Sequence, residues 1–186
     1  NTSNSTISFA PRVDYALGGT PRSVEFCDFD LDGKGDLFSA VNSASSSAVF
    51  RNTSATTTIS FAGRMDFTIG AGPTAVKCSD MNGDGKYDML SSNYNGGSIS
   101  LLFNTSTSTI SFATKVDHAL SSAGSIQGKD YDNDGKFDMS GTIFAGDQLL
   151  FFRSTRIPNV ESTLSSYQIS TSYTNPSEND ISSVII

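Results

Sequence analysis

The strongest constraint on this 186-residue chain is that it repeats itself. The phrase ISFA begins at Ile7, Ile59 and Ile110, and NTS begins at Asn1, Asn52 and Asn104. A basic–apolar–Asp–aromatic pattern recurs at Arg12 to Tyr15, Arg64 to Phe67 and Lys115 to His118. An acidic loop opens at Asp28, Asp80 and Asp130, so the period is 50 to 52 residues. Three copies fill about 1–52, 53–104 and 105–156, and Pro158 marks the start of a tail, 157–186, read as an extra strand or a linker. Self-similarity at this period means units that bury their apolar faces against one another.

Each unit reads as β-structure. Ahead of the acidic loops, Val24 and Phe26, Val76 and Cys78, and Ile126 and Gly128 alternate with Glu25, Lys77 and Gln127. Period-two alternation marks a strand with one buried face. In the first copy the strands fall near residues 7–16, 22–28, 36–42 and 47–52, with the acidic loop as a hairpin between the second and third. The abundance of Ser, Thr, Asn and Gly and the absence of Trp suit strands and turns. The expected fold is all-β: three four-stranded propeller-type blades. Propellers close with four to eight blades, so three form a partial propeller or one completed by association. The opening ISFAPRVDYAL is similar to an outer fourth strand, and the third copy has none after Arg153. An unpaired edge recruits strands; residues 7–17 of another copy, or the chain's own tail, are expected to complete the third blade, giving a ring or a filament.

The three loops are DFDLDGKGD (Asp28 to Asp36), DMNGDGKYD (Asp80 to Asp88) and DYDNDGKFD (Asp130 to Asp138). Of the 16 Asp, 11 lie within them. Oxygen-bearing side chains stand at positions 1, 3, 5 and 9, Gly at 6 and Lys at 7. Calcium takes six to eight hard oxygen ligands, and alternate side chains of a tightly curled loop converge on one point. Gly33, Gly85 and Gly135 permit the curl. The Lys side chains are expected to point outward, with their carbonyls as further ligands. Position 12 is Ser39, Ser91 or Gly141 and the flanks are β-rich, which excludes an EF-hand.

The loops, the period, the ISFA…VD phrase and the Asp-Leu or Asp-Met closing each loop resemble the FG-GAP or VCBS repeat, the blade of the integrin α-subunit propeller. The resemblance covers about 150 residues. It implies one calcium ion per blade, three in all. The implied side-chain ligands are Asp28, Asp30, Asp32 and Asp36; Asp80, Asn82, Asp84 and Asp88; and Asp130, Asp132, Asp134 and Asp138. Backbone ligands are implied from Lys34, Lys86 and Lys136. Asn82 removes one negative charge, so the second site is expected to be the weakest.

A net charge of −7 argues against nucleic acid, and three divalent ions would bring it to about −1. No apolar run is long enough to span a membrane. No signal peptide remains, and Asn1 is compatible with a mature N-terminus after cleavage; calcium-type loops and many Ser and Thr suggest export. Cys27 stands one residue before its loop and Cys78 two, so the two are expected to face opposite sides of aligned strands as buried free thiols. His118, Asp14, Asp66 and Asp117 are read as structural, and the N-x-S/T matches at Asn1, Asn4, Asn52 and Asn104 as chance products of a Ser/Thr-rich chain. No catalytic motif is present, and the chain is read as a non-enzyme. The expected function is that of a secreted calcium-binding structural, adhesive or self-assembling surface module. The alternative is a carbohydrate-binding propeller or an accessory module of a larger extracellular enzyme. Expected partners are further copies or repeats, with a protein or glycan ligand.

Overall fold

The computed structural model describes residues 9–145, 148–155 and 172–174. Among them the chain is all-β, with a single 3₁₀ turn at Asn42–Ala44. Three four-stranded antiparallel sheets succeed one another. The first is β1 (Pro21–Cys27), β2 (Asp36–Val41), β3 (Ser46–Phe50) and β4 (Met65–Thr68), paired in that order. The second is β5 (Pro73–Ser79), β6 (Asp88–Asn93), β7 (Ser98–Leu102) and β8 (Val116–Ala119). The third is β9 (Ala123–Lys129), β10 (Asp138–Ile143), β11 (Gln148–Phe152) and β12 (Ser172–Thr174). These are propeller-like blades, and each acidic loop is the hairpin from a blade's first strand to its second. The expected opening strand near residues 7–16 differs from what forms: positions 9–16 carry no strand.

Blade and repeat are out of phase. The Arg64-to-Phe67 phrase opens the second repeat, yet it forms β4, the outer strand of blade 1, where Ser47 pairs with Phe67 and Val49 with Met65. The Lys115-to-His118 phrase likewise supplies β8 to blade 2. In blade 3 the outer strand is instead Ser172–Thr174 of the tail, with Leu149 opposite Tyr173.

Blades pack face to face, and this is where the core lies. Phe29, Phe38, Ala40 and Val49 of blade 1 meet Val76, Met89 and Leu102 of blade 2. Leu90, Ile99 and Leu101 of blade 2 meet Ile126, Met139, Leu150 and Phe152 of blade 3. Phe112, from an ISFA phrase, wedges against Phe29 and Phe67 with ring centroids 5.0 and 4.9 Å apart, in the edge-to-face geometry aromatic pairs prefer. Every blade thus has a leading face toward its predecessor and a trailing face toward its successor, made by side chains of opposite phase on the same strands.

That geometry overturns the expectation of free thiols. Cys27 and Cys78 form a disulfide with Cα atoms 6.5 Å apart. Opposite phase would separate two cysteines within one sheet. Here β1 presents its trailing face to the leading face of β5, so opposite phases are the ones that meet. The Val76 N–H donating to Ser23 Oγ at 3.1 Å joins the same two strands.

Candidate metal centre

The loops share one internal scaffold. The first carboxylate folds back on the turn. Asp28 accepts the Asp32 and Gly33 N–H groups at 3.1 and 2.8 Å. Asp80 accepts those of Gly83, Asp84 and Gly85, and Asp130 those of Asp134 and Gly135. The sixth-position glycines take φ of +84°, +85° and +79°, a left-handed backbone that side chains disfavour. The fifth-position carboxylate closes a smaller turn by accepting the Lys34, Lys86 or Lys136 N–H.

The ninth carboxylate is buried and ties three segments together. Asp36 accepts the Phe29 and Asn52 N–H groups at 3.0 and 2.8 Å. Asp88 does so from Met81 and Asn104, and Asp138 from Tyr131 and Ser154. Burial raises the pKa of Asp36, against the two backbone bonds that lower it, and the neighbouring Asp30 and Asp32 add to the rise. The same burial pushes Asp88 up to about 6. Desolvation disfavours a carboxylate's charged form; a divalent ion beside it would restore that form.

In loop 1 the carboxylates of Asp28, Asp30 and Asp36 bring one oxygen each within 4.8 Å of one another, and Asp130, Asp132 and Asp138 do the same in loop 3. An ion with oxygens at roughly 2.3–2.6 Å spans such a set. The fit has a second support. The Asp30 side chain is 1% exposed, and its Oδ1 makes no hydrogen bond. A buried carboxylate oxygen without a partner is costly, and a cation at the convergence point would satisfy it. Asp32 and Asp134 lie outside these three-carboxylate sets. In loop 2 Asn82 points its amide at Asp84, 3.0 Å away.

Other residues belong to the site that the loop pattern alone does not reveal. Arg51 donates to Asp30 and to Asp32, the latter at 2.8 Å. Arg153 reaches Asp132 and Asp134 in the same way. Asn104, from an NTS phrase, is buried; its Nδ2 donates to the Phe29 and Tyr87 carbonyls at 2.9 and 2.8 Å, while its Oδ1 accepts the Ser106 N–H. Asn52 does the same work with Gly35 and Ser54. The repeated NTS phrase is the available signal for this role: an Asx turn anchoring the loop's base. Two of the three lysines depart from the outward orientation expected of them, since Lys136 Nζ bonds Asp134 and Lys86 Nζ the Ser106 carbonyl, at 2.7 and 2.8 Å, while Lys34 is exposed. Asp117 accepts the Ser100 hydroxyl at 2.6 Å.

A succession of antiparallel blades, each with an Asp-rich hairpin, defines a propeller-type repeat protein. The FG-GAP-like repeat matches residues 28–91 and 80–139, and the chain belongs to that family. FG-GAP repeats often bind calcium and are typical of extracellular proteins. No curated protein matches the chain. No helix among the described residues is long and apolar enough to cross a membrane.

Proposed function

We propose that this chain is a secreted calcium-binding blade array, working as a structural, adhesive or self-assembling module at the cell surface. The observation that carries the reading is the convergence of the Asp28, Asp30 and Asp36 carboxylates, one of which, Asp30, keeps a buried Oδ1 without a hydrogen-bond partner. The ion's ligands in the first loop are Asp28, Asp30, Asp32 and Asp36 with the Lys34 carbonyl, and the other two loops use the corresponding positions. The Cys27–Cys78 disulfide supports an oxidising compartment.

Calcium here is a folding element rather than a signal. With a Kd near 0.1 mM in millimolar calcium, each site adds roughly 1.4 kcal/mol and three add about 4, comparable to the whole stability of a small domain. Calorimetric titration of the metal-stripped chain should find three calcium ions, and the melting midpoint should fall on chelation. A chain that binds no calcium and melts alike with and without chelator would end this reading.

A further inference from the structure

The acidic loops are not equally acidic. Loops 1 and 3 carry four carboxylates each, and loop 2 carries three because Asn82 stands at its third position. The residue that follows the third strand varies in step: Arg51 after β3, Phe103 after β7, Arg153 after β11. Each arginine bridges positions 3 and 5 of its own loop. Arg51 holds Asp30 and Asp32; Arg153 holds Asp132 and Asp134. Phe103 instead packs against the apolar contact between blades 2 and 3. The extra carboxylate and the arginine occur together or not at all, so the three loops balance to the same charge, position-7 lysines apart.

The guanidinium and the open oxygen lie on different atoms of one carboxylate. Arg51 takes Oδ2 of Asp30, and the buried Oδ1 is left over. Arginine and ion can therefore be present together, with like charges on either side of Asp30.

We infer that Arg51 and Arg153 are tethered counter-cations that set the metal affinity of loops 1 and 3. In the metal-free chain they relieve carboxylate repulsion and keep positions 3 and 5 together. Once an ion binds, they oppose it. Loops 1 and 3 thereby depend less on calcium for their order than four carboxylates alone would. This rests on the calcium reading, and the test separates the two.

The experiment is calcium titration by calorimetry, with thermal melts in chelator, on the full chain and on Arg51→Met, Arg153→Met and Arg51→Lys. A unit charge about 6 Å from a divalent ion in a largely aqueous setting changes affinity by about tenfold. Each Met variant should bind calcium about tenfold more tightly at one of the three sites, and its melting midpoint in chelator should fall below that of the unaltered chain. Arg51→Lys keeps the charge and should hold affinity near that of the unaltered chain. Weaker calcium binding in the Met variants would overturn the inference, because it would make the arginines orienting groups for the ligands. An unchanged midpoint in chelator would overturn it too, reducing them to idle surface pairs. If the unaltered chain binds no calcium, the functional reading falls, while the midpoints in chelator still decide whether the arginines relieve the loops.

Discussion

Asp88 shows what burying a carboxylate at the base of an acidic loop costs. Its carboxyl is fully buried and titrates near 6, chiefly because burial penalises the charge. Its pKa in the unfolded chain is about 3.9. Between these values the folded state holds the proton more tightly, so stability falls as pH rises from about 4 through 6. For the metal-stripped chain, Asp88→Asn should flatten this part of the stability-versus-pH curve, measured by denaturant titration at pH 4 to 7. A component of opposite slope would contradict the assignment. Calcium should reverse the slope, because the ion needs the carboxylate. Asn104 offers a metal-independent check. Asn104→Ala orphans the Phe29 and Tyr87 carbonyls and should cost roughly 2–4 kcal/mol of unfolding free energy. The convergence of Asp28, Asp30 and Asp36, and of Asp130, Asp132 and Asp138, was readable from spacing, since one loop writes these carboxylates in nine residues. Arg51 and Asn104 were not, because they reach the loops from 15 or more residues beyond their ends, through strand pairing.

At the scale of strands, the alternation before each loop was legible and so was the strand count of each blade. The assignment of the outer strand to a blade was less so: a repeat can begin anywhere in its period, and only pairing shows that Met65–Thr68 closes the blade before it. The cysteines expose a similar limit. Phase tells which side of a sheet a residue faces; whether two such sides meet depends on how sheets stack. The bridge links inner strands of adjacent blades across 51 residues. On the chain-entropy argument, replacing both cysteines by serine should cost up to about 4 kcal/mol. Denaturant unfolding of Cys27→Ser/Cys78→Ser should show a lower midpoint, and reducing agent should reproduce it in the unaltered chain. Equal midpoints would mean that blade packing alone fixes the contact.

For the whole molecule, the described residues leave the leading face of blade 1 and the trailing face of blade 3 exposed. Val76 and Ile126 are 0% and 1% exposed on the leading faces of blades 2 and 3, whereas Val24, at the corresponding place in blade 1, is 66% exposed, and Phe26 beside it on the same face is 72% exposed. Val24 lines an open cleft of about 430 Å³ together with Tyr15, Leu17, Leu37, Phe38 and Phe50. At the other end Leu149 and Phe151 are each 45% exposed, where Ile99 and Leu101 of blade 2 are sealed. The trailing face of blade 3 is the kind of surface that packs on a leading face such as blade 1's, and head-to-tail stacking of copies would pair the two; this is the self-assembling version of the proposed function. The native disulfide supplies the test. Lys129 holds in blade 3 the register of Cys27, and Phe26 holds in blade 1 the register of Cys78. Copies stacked as the blades are would place residues 129 and 26 at bridging distance. Lys129→Cys/Phe26→Cys should then form a ladder of disulfide-linked multimers on a non-reducing gel, collapsing to one band with reductant, whereas Lys129→Cys alone should stop at dimers. Phe26→Asp should lower the mass measured by light scattering without changing the melting midpoint at high dilution. A double variant that stays monomeric at high concentration in calcium would rule out this stacking.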